Sequence, residues 1–470
     1  MTFEKYAEIL AELQPHQVNA VERAMKNNLL LAHSPGSGKT LTSIAIADKI
    51  GKPATVLTPA SLVENYKKEI KNFKKDGPPI EVLSLPTAVS RKYVIPKGNT
   101  LIIDEVHSLR NPGSQRYNYI KRQLGNAGRV FGLTGTPAYN DIANWAPLVN
   151  VVAKSDVFPE NPHEFNKRYT RDIPQHAYGP IIDYLLGVKP GSKLVLKNEQ
   201  ELKKKLTPYV DVFETDVEKP KRIDETIRVR MSPEQQKVYE FVSGNIPSSM
   251  AWKLRQNLPP SKSESKELNA YLSGVRQVSN TAAAFDTTAA KLSPKLKASV
   301  EQVKSHLASN PNLRAFIYSN YLDSGVNPVS EALTEAGISN AIFHGGLSKK
   351  QKKELVDAYN SGKLHVLLGT GSASEGLDLK KTNLLQLLEP HFNNARLEQV
   401  IGRGIRYKSH EGLPPDKRNV LVQRFESTME PSWWDKLWGT KERIAVDQYL
   451  KSRADEKDEL INSIKGLFKK

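Results

Sequence analysis

Two short segments near opposite ends of the chain carry residues that could bind and cleave a triphosphate. The first is Ser34-Pro-Gly-Ser-Gly-Lys-Thr40, and the second is Gln399-Val-Ile-Gly-Arg-Gly-Ile-Arg406. The glycines of the first let backbone N–H groups approach phosphate oxygens, and its lysine and threonine supply an ammonium group and a hydroxyl. The second supplies two guanidinium groups, which can stabilise charge on a phosphoryl group. The sequence therefore predicts a nucleotide site that a distant segment completes across a cleft.

The first segment has the surroundings of a phosphate-binding loop. Residues 29–32 form an apolar run of strand length, and residues 40–50 carry apolar side chains at helical spacing. In this setting we expect Lys39 to reach the β- and γ-phosphates and Thr40 to hold Mg²⁺. A glycine turn with a chance Lys-Thr pair is the alternative, but it does not explain the agreement on both sides. The residues predicted to contact the nucleotide here are Pro35, Gly36, Ser37, Gly38, Lys39 and Thr40.

A pair of carboxylates follows 65 residues after Lys39. Three branched apolar residues at 101–103 predict a buried strand, and Asp104 and Glu105 come directly after it. Parallel sheets place their ligand sites at the carboxyl ends of strands. We expect Asp104 to be a partner of Mg²⁺ and Glu105 to be the base that orients the attacking water. Alone, an Asp-Glu pair at a strand end is often a solvated turn, but the phosphate loop upstream argues against that interpretation.

Residues 131–137, Phe-Gly-Leu-Thr-Gly-Thr-Pro, predict a short strand that ends in a turn. The hydroxyls of Thr134 and Thr136 could hydrogen-bond the carboxylates of Asp104 and Glu105. They would then link the hydrolytic centre to a domain interface. In isolation this segment would be an ordinary turn.

The composition excludes several classes of protein. A chain of 470 residues is too long for one ordinary core, so two or three domains are expected. The absence of cysteine excludes disulfides and thiolate metal sites, and the ten histidines lack a ligand spacing, so Mg²⁺ on nucleotide is the only metal inferred. No apolar stretch approaches the roughly 18 residues of a membrane span, and residues 1–13 do not resemble a cleavable signal. The net charge of +17 favours a polyanionic partner, although lysines can also serve solubility.

The second half of the chain alternates strands and helices. Residues 315–319, 341–346 and 364–369 are predicted strands, and a helix is predicted at 349–360. Such alternation favours right-handed crossovers and a parallel sheet. The middle of the chain predicts helices and polar loops at 142–215, a strand at 225–231 and mainly helix at 232–290.

Two segments of this half carry polar groups for a ligand. Residues 369–378 form a glycine-rich loop after a strand, suited to a phosphate backbone or to the ribose of a nucleotide. Residues 398–406 predict a helix that places Gln399, Arg403 and Arg406 on neighbouring turns of one face. A solvated helix face would be the plain explanation for Arg406 alone, but the glycines at 402 and 404 argue against it.

Together these segments resemble the motifs of superfamily 2 helicase-like ATPases, in particular the Swi/Snf group. Leu13-Gln-Pro-His-Gln17 is similar to the adenine-reading glutamine motif. The segments similar to motifs I, Ia, II, III, IV, V and VI are, respectively, residues 34–40, 58–66, 104–107, 133–137, 317–321, 369–379 and 399–406. Ser232, Gln235 and Tyr239 resemble the Swi/Snf pattern Ser-x-x-Gln-x-x-x-Tyr. The segment 403–410 is similar to that of helicase-like proteins of large eukaryotic DNA viruses, such as poxvirus nucleoside triphosphatase I and its algal-virus relatives. Asp-Glu-Val-His departs from the more usual Asp-Glu-Ala-His.

The resemblance implies an α/β fold of two tandem RecA-like lobes with parallel sheets and helical insertions between them. The first lobe would span residues 1–230 with a helical insertion at 145–215, the second 231–445 with a helical protrusion at 232–290, and residues 446–470 would be a basic C-terminal helical tail. It also implies catalytic roles for Lys39, Asp104, Glu105, Gln399, Arg403 and Arg406, and nucleotide contacts for Gln17, Gly376 and Asp378. Residues implied to couple ATP hydrolysis to movement are His107, Thr134 and Thr136. Residues implied to contact nucleic acid are Thr58, Pro59, Ser319, Thr370 and Ser372.

The implied function is ATP-dependent translocation on double-stranded DNA, with ATP and Mg²⁺ and with contacts to the DNA backbone that do not depend on base sequence. Transcription or chromatin proteins are the expected partners, and no membrane is involved. We expect an intracellular location, in a host nucleus, viral factory or virion, rather than secretion. An RNA helicase, a restriction-type DNA motor and a non-catalytic nucleic-acid-binding virion protein are the alternatives. The intact Lys39 and Glu105 argue against the last.

Overall fold

The structure is a computed structural model. It describes residues 13–34, 36–73, 77–135, 141–176, 179–185, 190–214, 220–371, 377–391, 394–405, 409–414, 417–431 and 443–468. The chain divides into two compact units, of which the first comprises Met1–Arg171, Leu194–Val217 and Glu459–Lys470 and the second Asp172–Lys193 and Glu218–Asp458.

The first unit is built on a six-stranded parallel sheet. Its strands are β1 (Leu29–His33), β2 (Ala54–Thr58), β3 (Ile80–Ser84), β4 (Thr100–Ile103), β5 (Arg129–Thr134) and β8 (Val210–Phe213), in the order β3-β2-β4-β5-β1-β8. Every residue of β1, β2 and β4 is buried, which fits strands covered on both faces.

Helices cover both faces of this sheet. They are α1 (Pro15–Lys26), α2 (Lys39–Ile50), α3 (Val63–Phe73), α4 (Leu85–Ser90), α5 (Gln115–Gln123), α6 (Trp145–Ala153), α7 (Pro162–Tyr169) and α9 (Glu199–Leu206). Alternate residues of β1 enter different cores, because successive side chains of a strand point to opposite faces. Leu29 and Leu31 pack in one core, whereas Leu30 and Ala32 pack in the other.

The second unit has its own six-stranded parallel sheet. Its strands are β9 (Lys221–Arg230), β10 (Ala315–Tyr318), β11 (Asn340–Phe343), β12 (Val366–Gly369), β13 (Leu384–Leu387) and β14 (Asn419–Thr428), in the order β11-β12-β10-β13-β14-β9. Its helices are α8 (Pro180–Leu185), α10 (Pro233–Ser243), α11 (Ser248–Arg255), α12 (Lys262–Asn280), α13 (Pro294–Ser309), α14 (Asn327–Glu335), α15 (Lys349–Ser361), α16 (Asn394–Gly404) and most of α17 (Val446–Gly466). Two parallel sheets with flanking helices confirm the predicted fold class.

Strand β9 corrects the predicted boundary between the lobes. We placed residues 1–230 in the first lobe, but all of β9 pairs in parallel with β14 of the second sheet, and the second unit resumes at Glu218. Alternating side chains predict a strand but do not say which sheet it joins. That choice depends on pairing between residues almost 200 positions apart.

The predicted helical insertion at 145–215 also contains strands. In addition to β8, it holds β6 (Thr170–Gln175) and β7 (Gly191–Leu196), which form a two-stranded ribbon. The division between the two units falls within both strands of this ribbon. Strand β6 has no apolar run because most of its side chains are exposed, and it therefore gave no strand signal in the sequence.

The segment predicted to be a basic tail is a packed helix. Val446, Tyr449 and Leu450 of α17 are buried in a core with Tyr239 of α10. Further along the same helix, Ile464 belongs to a core of the first unit. Residues 446–470 carry six basic and five acidic side chains, so this segment is close to neutral. Among the described helices, none is long and apolar enough to cross a membrane.

Candidate active site

The predicted phosphate-binding loop lies between β1 and α2, at the carboxyl end of the strand. Gly36 and Gly38 have φ angles of 82° and 76°, in the left-handed region that favours glycine. At Gly38 a side chain would also clash, because a Cβ atom would lie 2.5 Å from Nε2 of Gln17. The loop therefore requires both glycines, and the first N–H groups of α2 face the position where phosphate oxygens bind in loops of this kind.

Lys39 is the first residue of α2 and reaches back over the loop. Its Nζ donates hydrogen bonds to the carbonyl oxygens of His33, at 3.0 Å, and Ser34, at 3.2 Å. An ammonium group binds a charged phosphate oxygen more strongly than a neutral carbonyl. Lys39 can therefore exchange these acceptors for phosphate oxygens. Thr40 follows it in the first turn of α2 and is half-buried, as the proposed Mg²⁺ contact requires.

Gln17 braces the phosphate loop. Its Nε2 donates to the carbonyl of Gly38, at 3.1 Å, and to Oγ1 of Thr42, at 3.2 Å, while its Oε1 accepts from the N–H of Gln14 at 2.8 Å. The side chain is buried, and both ends of its amide are engaged within the first unit. The described contacts therefore give Gln17 a role in positioning the loop, and its predicted contact with adenine stays a prediction. Sequence could not separate these roles, since both need an amide at the start of α1.

Asp104 and Glu105 lie at the carboxyl end of β4. The buried carboxylate of Asp104 accepts hydrogen bonds from Oγ1 of Thr58, at 2.9 Å, and from the N–H of Glu105, at 3.0 Å. Glu105 has φ 49° and ψ 47°, a left-handed conformation that costs a residue with a Cβ about 1–2 kcal/mol. Burial, and then the neighbouring charge of Glu105, raise the pKa of Asp104 to about 6.

The raised pKa predicts a stability cost that depends on pH. Below a pH of about 4, Asp104 is protonated in the folded and unfolded protein alike. As the pH rises towards 6, the unfolded chain ionises first, so folding stability falls, and above pH 6 the full cost of about 3 kcal/mol is present. We expect Asp104→Asn, which cannot ionise, to exceed the wild-type free energy of unfolding near pH 8 by up to this amount.

Urea denaturation in EDTA at about pH 4.5 and pH 8 measures this difference without metal. The advantage of Asp104→Asn should be small at the lower pH and large at the higher one. An equal difference at both values would show that the carboxyl is not strained by burial.

His107 connects the acidic pair to the end of β5. Its Nδ1 lies 3.1 Å from Oε2 of Glu105 and 3.2 Å from Oγ1 of Thr134, which is fully buried. The sequence predicts a hydrogen bond between Thr134 and the carboxylates, and the described contact of its hydroxyl is with the imidazole beside Glu105. The imidazole of His107 therefore lies between Glu105 and Thr134, with its Nδ1 close to both.

Two residues predicted to contact nucleic acid are buried. The hydroxyl of Thr58 donates to Asp104, and the hydroxyl of Ser319 donates to the carboxylate of Glu389 at 3.0 Å. Neither hydroxyl faces solvent, and the predicted nucleic-acid contacts of these two residues stay predictions. A hydroxyl at a strand end can face solvent or a buried carboxylate, and local sequence does not distinguish these cases.

Other predicted residues lie at strand ends or on a helix. Pro59 and Thr370 are half-buried after β2 and β12, Asp378 is exposed, and Gln399 is half-buried on α16. Arg403 also lies on α16, within the predicted helix, which the structure places at Asn394–Gly404. The side chain of Arg403 and the residues Pro35, Thr136, Ser372, Gly376 and Arg406 lie outside what the structure describes.

Glu389, which was not predicted from sequence, orders the carboxyl edge of the second sheet. Its buried carboxylate accepts from Ser319, from the side chain of Asn320 at 2.9 Å and from Asn280 at 2.8 Å. A signal was present, because a leucine-rich run at 384–388, interrupted by Gln386, is followed by this carboxylate as β4 is followed by Asp104. Glu389 was not predicted to have a role because, unlike Asp104, it is not preceded by a phosphate-binding loop in its own half of the chain.

Two family models match the chain. Residues 81–284 match the SNF2-related domain, and residues 298–408 match the helicase conserved C-terminal domain. The first range contains the acidic pair after β4, and the second contains all of α16.

Relatives cover most of the chain. A protein of Acanthamoeba polyphaga mimivirus, named as an ATP-dependent RNA helicase, is 31% identical over 96% of this chain and 95% of its own length. A termination factor NPH-I homolog of African swine fever virus is 24% identical over 94% of this chain and 75% of its own length. Among solved structures, the Pyrococcus furiosus Hef helicase domain matches with a TM-score of 0.50 at 15% identity, covering 92% of this chain and 98% of that domain. That likeness concerns the fold alone.

Proposed function

We propose that this chain, which belongs to the Swi/Snf-related group of superfamily 2 helicase-like ATPases, hydrolyses ATP to move along double-stranded DNA. The observation that carries this proposal is the match of residues 81–284 to the SNF2-related domain. The net charge of +17 supports a polyanionic partner. As in the group it resembles, contacts to phosphates would make binding independent of base sequence.

The residues around the phosphate loop fit a nucleoside triphosphate with Mg²⁺. A carboxylate and a hydroxyl are oxygen ligands of the kind Mg²⁺ takes, and Asp104 and Thr40 supply them. When bound, Mg²⁺ neutralises phosphate charge as the terminal bond breaks. Lys39 would leave its carbonyl acceptors to bind the β- and γ-phosphates. Glu105, which lies 3.1 Å from the ring of His107, would accept a proton from the attacking water.

Motif VI supplies the remaining groups in this proposal. Gln399 and Arg403 lie on α16, and Arg406 follows that helix in the sequence. By the resemblance, their side chains would act on the γ-phosphate in trans to the phosphate loop. A guanidinium in that role stabilises charge that develops mainly in the transition state.

An RNA substrate is the second candidate, because the mimivirus relative is named as an RNA helicase. We expect blunt duplex DNA to stimulate ATP hydrolysis more than single-stranded DNA, duplex RNA or single-stranded RNA at equal nucleotide concentration. Displacement of a third strand from a triplex would then report movement along the duplex. Lys39→Ala is the control for ATP-dependent turnover.

The same measurements separate the alternatives. Preferential stimulation by RNA would assign the protein to RNA and overturn the DNA proposal. Stimulation by duplex DNA without triplex displacement would argue against translocation. A wild-type protein that hydrolyses no ATP with any of these nucleic acids would be a non-catalytic binding protein.

A further inference from the structure

Strand β8 holds the start of the phosphate loop through a buried contact between a histidine and a carboxylate, which the proposed chemistry does not use. His33, the last residue of β1, is fully buried, and its Nε2 lies 2.6 Å from Oδ2 of Asp211 on β8. The guanidinium of Arg23 also binds Asp211, and it donates to the carbonyls of Thr207 and Val210, at 2.9 and 3.1 Å. Asp211 is therefore fixed from two sides, by α1 and by β1.

Strand β8 contacts the start of the loop directly and its later part through His16 of α1. The N–H of Ser34 donates to the carbonyl of Phe213 at 2.9 Å. The ring of His16 stacks on Phe213, with centroids 3.7 Å apart and planes 2° from parallel, and its Nε2 lies 2.9 Å from the carbonyl oxygen of Ser37. These contacts and the His33–Asp211 pair together place β8 behind the loop as a rigid support.

The contact between His33 and Asp211 is not needed to join the two strands. Strands β1 and β8 already pair through their backbones from Leu30 to His33. Burial alone would raise the pKa of Asp211, but the hydrogen bond and charge of His33, together with Arg23, hold that pKa below its ordinary value. The carboxylate is thus an anion at neutral pH. Keeping a charge in a core is costly, and an apolar pair would often serve stability equally well.

The position of Lys39 indicates what the pair contributes. Its ammonium donates to the carbonyl of His33, the same residue whose side chain Asp211 holds. When Lys39 binds phosphate, that carbonyl loses its charged donor. The side-chain contact with Asp211 is unaffected by this exchange, so it can keep the end of β1 in place.

We propose that His33 and Asp211 are positioning residues for nucleotide binding, which hold the start of the phosphate loop while Lys39 moves from the carbonyl of His33 to phosphate. The inference rests on the proposed nucleotide site and adds two residues to it. They act through the loop and do not contact the reacting atoms. Without the hydrogen bond the start of the loop would leave its binding conformation in the free protein, and if that conformation were populated about a tenth of the time, nucleotide affinity would fall about tenfold.

Binding of a fluorescent ADP analogue with Mg²⁺, and the ATPase rate without nucleic acid, test the proposal. For Asp211→Ala we expect the dissociation constant and the KM for ATP to rise about tenfold, with a much smaller change in kcat at saturating ATP. Asp211→Asn keeps an oxygen acceptor for the imidazole N–H, and it should recover most of the affinity.

Asp183→Ala is a matched control. Asp183 is also a buried carboxylate paired with a histidine, since its Oδ2 lies 3.0 Å from Nδ1 of His176, but it belongs to the other unit. We expect this variant to lose thermal stability and to keep wild-type affinity for the ADP analogue. If Asp211→Ala behaved in the same way, the pair would be purely structural and the proposal would be overturned.

A second variant decides the matter if Asp211→Ala does not fold. His33→Phe keeps a buried ring and removes the donor to Asp211, and it too should bind the ADP analogue about tenfold more weakly. Unchanged affinity in that variant would overturn the proposal. Failure of the proposed function gives a different result, because wild-type protein would then bind no nucleotide or would show no stimulation by duplex DNA.

Discussion

Glu105→Gln should bind ATP normally and hydrolyse it at least a hundredfold more slowly than wild type. The amide keeps the size of the side chain but cannot accept the proton of the attacking water, and a positioned general base contributes typically 10²–10⁴-fold to a rate. The backbone at Glu105 is already left-handed, so the substitution asks for no new conformation. Single-turnover hydrolysis with saturating duplex DNA measures the chemical step. Binding of a fluorescent ATP analogue measures affinity separately.

Lys39→Ala should fail in a different way. This change removes the ammonium group that would bind the β- and γ-phosphates, so nucleotide affinity itself should fall. Glu105→Gln should instead accumulate with ATP bound and hold duplex DNA. Glu164→Gln is a matched control, because Glu164 is an exposed carboxylate of the same unit that lies on α7, outside the predicted motifs. Wild-type turnover in Glu105→Gln would remove this residue from the catalytic role.

The elements that position these residues were predictable from local pattern. The buried strand β4 and the helix cap formed by Ser232 at the start of α10 each depend only on residues that are adjacent in the sequence. The left-handed glycines of the phosphate loop follow from the same stretch of sequence that binds the phosphates. Local pattern therefore predicted the loop, the acidic pair and the alternation of strands and helices, and the resemblance to superfamily 2 helicase-like ATPases supplied the two-lobe α/β fold class.

Contacts between distant residues were not predictable in the same way. Asp211 meets His33 across 178 positions, and Ser319 meets Glu389 across 70. Each is a polar side chain at or near a strand end, and its partner is decided by which strands become neighbours. The misassigned sheet of β9 has the same origin. Thus the chemistry of single motifs could be read from sequence, whereas the residues that hold those motifs in place needed the tertiary structure.

Arg406→Ala should lower ATP turnover with duplex DNA by about three orders of magnitude, the range measured for arginines that act in trans on a phosphoryl group. Affinity for ATP and for DNA should change little, because the guanidinium contact would be strongest in the transition state. This expectation comes from motif VI of the sequence, since Arg406 lies outside the described residues. Arg230→Ala, which removes an exposed arginine at the end of β9, is the control for loss of one positive charge.

Three measurements on Arg406→Ala separate a catalytic role from a structural one. Thermal unfolding tests the fold, equilibrium binding tests ATP and DNA affinity, and steady-state hydrolysis with duplex DNA tests turnover. Normal stability and binding with lost turnover would place Arg406 at the γ-phosphate, because only a transition-state contact leaves ground-state affinity intact. A variant that unfolds would instead identify an arginine that anchors its helix. Unchanged turnover would mean that motif VI does not act on the nucleotide held by Lys39, and the proposed trans contact would be wrong.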